Sequence, residues 1–342
     1  MARTLIKTGV DRFQDKRKRN LLKEEIYKLF INDCKNVKYI YWKEFPLFQY
    51  PGALTFFSQL CALGINHYFV TSRNLFEMGK ICQNIKYLDV YECKGNDLGL
   101  INFIDIQKNL QSLLLYFNDI KKPCHIQFSE VTEKKAGTLK KFVLRPIIIL
   151  LSPKFLLSLI NLQHLELIND DNYNADESKE WQEWKKYLSI SSFPNIQVLK
   201  TAFLLDPEYQ GSEYDKKFIE SIANYSKIEK LTIEIGAVNL DIVKNIFLNC
   251  KQLKKVNLST SKKLPNGDEL LEIITEYSSK NLCAFSFGDN WNFSVSGLRS
   301  FFENWRGRIP LKFNCYYDGM GAWTEEHIMI VKQYRDEGVI KG

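Results

Sequence analysis

Histidine is scarce in this chain, with four among 342 residues, at positions 67, 125, 164 and 327. No pair has the H-E-x-x-H spacing of a zinc hydrolase, and none stands in a nucleophile motif, so the sequence offers no metal or catalytic constellation. The eight cysteines include no C-x-x-C pair, which leaves neither a zinc ribbon nor a dithiol redox motif. Gly319-Met-Gly321 is too short for a phosphate-cradling loop and lacks the strand-to-helix setting that such a loop requires. No cofactor, metal or catalytic residue is therefore expected. Long hydrophobic runs are also missing. The most apolar stretch, Pro146 to Leu162, is broken by Pro153 and Lys154, whereas a spanning helix needs about 20 nearly uninterrupted apolar residues. The first twenty residues are polar and basic without an apolar segment, so no secretory signal is expected there. Charge of one sign is not in large excess: 47 basic against 40 acidic residues give +7, a weak pointer to an acidic partner.

What the chain does have is a recurring apolar phrase, apolar-x-x-apolar-x-apolar. It occurs as Val37-x-x-Ile40-x-Trp42, Leu60-x-x-Leu63-x-Ile65, Ile85-x-x-Leu88-x-Val90, Leu110-x-x-Leu113-x-Leu115 and Leu139-x-x-Phe142-x-Leu144. It continues as Leu162-x-x-Leu165-x-Leu167, Ile196-x-x-Leu199-x-Thr201, Ile228-x-x-Leu231-x-Ile233, Leu253-x-x-Val256-x-Leu258 and Leu282-x-x-Phe285-x-Phe287. Most steps are 23 to 29 residues, and two longer ones of 34 and 32 hold the polar segments Asn169–Ser178 and Asp206–Glu213, which read as loops. This is the strand signature of leucine-rich repeats. Between phrases the period turns helical, as in Phe155-Leu156-x-x-Leu159, Phe218-Ile219-x-x-Ile222 and Ile242-Val243-x-x-Ile246, and Trp181 with Trp184 fits one such helix as core contacts. The expected fold is an α/β leucine-rich-repeat solenoid, a horseshoe with parallel strands on the concave face and helices on the convex face. Its domains read as a basic arm over 1–20 carrying Lys16-Arg-Lys-Arg19, a solenoid over 21–322, and a C-terminal capping helix over 323–342 opened by Thr324. Cys34, Cys82 and Cys250 precede strands at equivalent positions, where small buried thiols would pack, and their reduced state suits a cytoplasmic or nuclear protein.

Strand side chains alternate, so residues between the core positions face outward. That outward set contains Tyr39, Tyr41, Tyr87, Asp89, Tyr91, Tyr116, Arg145, His164 and Glu166. Tyrosine and arginine anchor protein interfaces because each buries a large, rigid surface while keeping a polar group. These nine residues are the candidate partner-binding set. From Lys200 onward the same positions, including Lys230, Thr232, Glu234, Lys255, Asn257 and Ser259, read as ordinary solvated sheet.

Phe30-Ile-Asn-Asp-Cys34, Phe247-Leu-Asn-Cys250, Asp268–Ile273, Phe301-Phe-Glu-Asn-Trp305-Arg-Gly-Arg-Ile-Pro310 and Val331-Lys-Gln-Tyr334-Arg-Asp-Glu-Gly338-Val-Ile340 carry a family resemblance. The chain resembles the fungal F-box/leucine-rich-repeat proteins from about Leu21 to its C-terminus. The resemblance implies a substrate-recognition subunit of an SCF-type ubiquitin ligase, with a Skp-type adaptor and a cullin as partners and a target protein held by the repeats. An F-box is a helical motif of roughly 40–50 residues ahead of the repeats. Only about twenty polar residues precede the first helical pattern here, so the F-box is expected to be lacking. The expected function is a non-enzymatic protein-interaction scaffold. The alternatives are a nucleic-acid-binding repeat protein, with steep salt dependence, or a repeat-only binder with no ligase role.

Overall fold

The computed structural model describes residues 15–94, 97–119, 126–145, 151–168, 178–202, 213–235, 240–259, 267–287, 291–315 and 323–341. Asn169–Ser178 and Asp206–Glu213 lie almost wholly outside these residues, as do His125, Gly319–Gly321 and the first fourteen positions. The chain divides into two compact units, Met1–Leu139 and Lys140–Gly342.

In the first unit, α1 (Lys16–Asp33) leads to β1 (Tyr39–Trp42), α2 (Ala53–Ser58), β2 (Ala62–Asn66), α3 (Ser72–Ile81), β3 (Tyr87–Lys94), α4 (Leu98–Asp105), β4 (Ser112–Asp119) and α5 (Ile126–Lys134). The four strands pair in parallel in chain order. A parallel pair needs a crossover between strands, and the helices supply it. Leu60, Leu63, Ile65, Ile85, Leu88, Val90, Leu110, Leu113 and Leu115 are all fully enclosed, so the repeated phrase is the core of the unit.

The second unit runs β5 (Lys141–Arg145), a 3-10 helix at Pro153–Ser158, β6 (His164–Ile168), α6 (Ser178–Ile190), β7 (Val198–Ala202), α7 (Glu213–Ile222), β8 (Lys230–Glu234) and α8 (Leu240–Asn249). It continues with β9 (Lys255–Ser259), α9 (Gly267–Tyr277), β10 (Ala284–Phe287), α10 (Val295–Trp305), β11 (Leu311–Cys315), α11 (Glu325–Asp336) and β12 (Ile340–Lys341). These eight strands also pair in parallel in chain order. Each unit therefore has the α/β architecture of a leucine-rich-repeat solenoid.

Four details differ from the sequence expectation. β11 and β12 are strands that the phrase does not mark, because Leu311-x-Phe313 lacks the leading apolar residue and β12 is only Ile340–Lys341. The helical period at Phe155 is realised as a 3-10 helix: Pro153 opens it and only six residues are available, a length suited to the tighter turn. α1 begins at Lys16, where the Asp15 carboxylate accepts the Arg17 N–H at 2.8 Å, so the boundary drawn after residue 20 falls inside a helix. Of the three thiols expected to be buried, Cys82 and Cys250 are, and burial pushes each up to about 12. Cys34 is exposed: it caps α1, and among the described residues no earlier repeat packs over it. Trp184 is enclosed against Phe155 at a ring distance of 6.0 Å, as a core residue should be.

At the entry to eight of the strands, β2 to β4 and β6 to β10, one carbonyl of the preceding repeat accepts two amides of the next. Lys38 O takes the Cys61 and Ala62 N–H groups, Cys61 O those of Lys86 and Tyr87, and Lys86 O those of Gln111 and Ser112. The second unit repeats the device at Lys140, Gln163, Gln197, Glu229 and Lys254. Because a carbonyl oxygen has two lone pairs, both amides are satisfied without any side chain.

Candidate interaction face

The tyrosine ladder of the first unit is built on a glycine. Register places Tyr39, Ala62, Tyr87 and Ser112 in one row across β1 to β4, and Tyr41, Gly64, Asp89 and Leu114 in the next. A Cβ at Gly64 would lie 2.7 Å from Tyr41 Cδ2 and 2.9 Å from the Tyr39 hydroxyl, so both phenols lie over the bare backbone. The Tyr41 ring continues to Tyr91 at 6.0 Å, and Tyr91 to Tyr116 at 6.5 Å. Tyr39 and Tyr87 are about half exposed, at 54% and 49%. Tyr41, Asp89, Tyr91 and Tyr116 are partly covered.

The C-terminal end of the ladder is tied by backbone to a largely enclosed polar pair. The Tyr91 carbonyl accepts the backbone N–H of His67 at 2.8 Å, and His67, fully enclosed, places Nε2 2.9 Å from Asp97 Oδ2. Asp97 also caps α4 by accepting the Leu100 N–H at 3.0 Å. Burial alone would raise the Asp97 carboxyl, but hydrogen bonds from His67, Ser72 and Leu100 outweigh it and hold the group at about 2. Beyond Tyr91 the register shifts, with Glu92 at a φ of 58°, which ends the regular ladder.

The remaining candidates form a separate cluster in the second unit. Glu166 on β6 occupies an outward position yet is only 4% exposed. It is covered by basic side chains: Arg145 forms an ion pair with its Oε1, Lys200 Nζ lies 3.5 Å from the same oxygen, and His164 Nε2 lies 3.2 Å from Oε2. Burial, followed by the charges of Lys141, Lys200, Lys230 and Arg145, lowers His164 to about 4. Lys200 is lowered too, by burial and then by Arg145. Glu166 thus offsets one of the two cationic charges over it and presents no free carboxylate. Its sequence position alone marks Lys200 as ordinary solvated sheet, and only the register opposite Glu166 reveals its part.

The described residues hold no group of three or more His, Cys, Asp or Glu placed for a metal ion, and no described helix is long and apolar enough to cross a membrane. No family model matches the chain, and no curated protein matches it. Among solved structures the chain is similar to the yeast complex of Rad7 and Elc1, at 14% identity over 92% of this chain and 86% of that one, with a TM-score of 0.45. It is also similar to the leucine-rich-repeat-containing protein LegL7 from Legionella pneumophila, at 13% identity over 92% of this chain and 93% of that one, with a TM-score of 0.41.

Proposed function

We propose that the chain is a non-catalytic recognition module that captures a target protein on the outward strand face, with the tyrosine ladder of the first unit as its anchor. The observation that carries this reading is the pairing of two half-exposed phenols, Tyr39 and Tyr87, with a supporting set that is already ordered: Tyr41, Tyr91 and Tyr116 in ring contact over Gly64. Rings fixed before binding lose little further entropy on contact, which is what makes aromatic residues effective interface anchors. The finer reading is the substrate-recognition role in an SCF-type ubiquitin ligase, with a Skp-type adaptor and a cullin as partners. It rests on the sequence phrases around Trp305 and Tyr334.

The test is affinity capture by the tagged chain from its own cell extract, read by mass spectrometry beside the Tyr39→Ala/Tyr87→Ala variant. The two phenols are exposed, so circular dichroism of the variant should match wild type. Loss of one specific protein from the variant, by tenfold or more, is the expected result. An unchanged set of captured proteins would remove the ladder as the recognition site. Recovery of a Skp-type adaptor and a cullin with wild type would support the ligase role, and a target recovered without them would leave a repeat-only binder.

A further inference from the structure

The parallel register of the second unit aligns residues that the sequence scatters over two hundred positions. Across β5 to β12, one outward row reads Lys141, His164, Val198, Lys230, Lys255, Ala284, Lys312 and Lys341. It contains five lysines, one histidine and no carboxylate. Lys230, Lys255, Lys312 and Lys341 are exposed, and among the described residues none of the five lysines has an ion-pair partner. Two pairs, Lys230 with Lys255 and Lys312 with Lys341, are direct cross-strand neighbours. Strands lie about 4.8 Å apart, and like charges placed opposite one another destabilise a sheet. The lowered His164, pushed down in part by Lys141 and Lys230 from the same row, reports the positive potential there. The carboxylates on this face stand elsewhere: Glu166 is buried under its cations, and Glu234 lies two rows further along β8.

Over β8 to β11 the row beside these lysines is neutral and rich in hydrogen-bonding groups, with Thr232, Asn257, Ser286 and Asn314 in register, and over β5 to β7 the same row carries Val143, Glu166 and Lys200. Asn257 Oδ1 is buried and has no hydrogen-bond partner among the described residues. An amide N–H would satisfy it.

We propose that this row docks an extended acidic polypeptide segment, whose carboxylates meet the lysines while its backbone amides meet the neutral row. The seven strand-to-strand steps from Lys141 to Lys341 span about 34 Å, and a ten-residue extended segment covers about 33 Å. Nucleic acid fits less well. Single-stranded chains are held by aromatic stacking platforms beside the cations, and the outward positions of β8 to β11 (Lys230, Thr232, Glu234, Lys255, Asn257, Ser259, Ala284, Ser286, Lys312 and Asn314) include no aromatic residue. This surface is independent of the tyrosine ladder, and either can fail without the other.

The test is fluorescence anisotropy of labelled dodecaglutamate with the full chain at low salt, beside dodecaglutamine and dodecauridylate. Three proteins are compared: wild type, the row variant K230Q/K255Q/K312Q, and the control variant K216Q/K280Q/K332Q. The control removes the same charge from exposed lysines off the row. Dodecaglutamate should bind wild type and dodecaglutamine should not. The row variant should lose at least tenfold in affinity, and the control less than threefold. Absence of dodecaglutamate binding, or equal loss in both variants, would overturn the proposal. Tighter binding of dodecauridylate that is lost in the row variant would overturn it too, and would make the row a nucleic-acid surface.

Discussion

Gly64 is where one missing side chain decides the shape of a surface. The phenols of Tyr39 and Tyr41 occupy the space a Cβ would need, so Gly64→Ala should push both rings aside. Overpacking costs about 1–3 kcal/mol, and because the displaced atoms are side-chain ends, the low end of that range is expected, about 1 kcal/mol by urea unfolding. In a Tyr41→Ala background the same substitution should cost about half as much, because the closest clash is gone. An undiminished cost there would mean that Tyr41 is not what Gly64 accommodates. The ladder itself was legible from the two-residue period of the strands. The glycine beneath it was not, since the need for bare backbone arises from rings on the neighbouring strand. Glu166 teaches the same lesson: its outward direction follows from its own strand, but its burial comes from Arg145 and Lys200 on β5 and β7.

Elements here are tied together by backbone groups that a few buried polar side chains complete. Gln107, fully enclosed after α4, accepts the Ile85 N–H at 3.0 Å and donates to the Cys82 and Phe103 carbonyls at 2.9 and 3.0 Å. It thereby joins the C-terminal ends of α3 and α4 to the lead-in of β3. Gln107→Leu keeps similar bulk but strands one buried donor, the Ile85 N–H, and removes a partner from two carbonyls, where an unsatisfied buried group costs about 1–3 kcal/mol. Unfolding by urea should show a loss of about 2–4 kcal/mol with an unchanged m-value, and a loss under 1 kcal/mol would mean that water or a shifted backbone replaces the amide. Strands β1 to β10 could be read from the apolar phrase, because each carries two buried residues at a fixed spacing from a leading apolar residue just before the strand. β11 and β12 could not, since a strand at the end of a unit needs fewer inward residues and β12 has only two. The lysine row was hidden for a related reason: loops of unequal length move its members out of any fixed sequence period, and only the register restores them.

At the scale of the whole molecule, His164 links the charge cluster to stability. Its folded value of about 4 lies below the ordinary 6.5, so the unfolded chain takes up the proton first. The sign follows: stability from this site is complete above pH 6.5, declines as pH falls, and is lost once pH passes about 4. With partial exposure discounted, the loss is about 2 kcal/mol. Urea unfolding between pH 7 and 4 should therefore show a steeper fall for wild type than for His164→Gln, where the difference isolates this histidine. Parallel curves would mean that His164 titrates normally.

The entry carbonyls of the repeats share no side-chain chemistry. Lys38, Cys61, Lys86, Lys140, Gln163, Gln197, Glu229 and Lys254 fill the same role, each accepting two amides from the repeat that follows. A joint made of main chain alone is indifferent to which residue occupies it. Repeats of such a protein can be duplicated, deleted or exchanged as cassettes without redesigning the seam, while every insertion resets which outward residues become neighbours. The scaffold is thus suited to rapid divergence of what it recognises at little risk to how it folds.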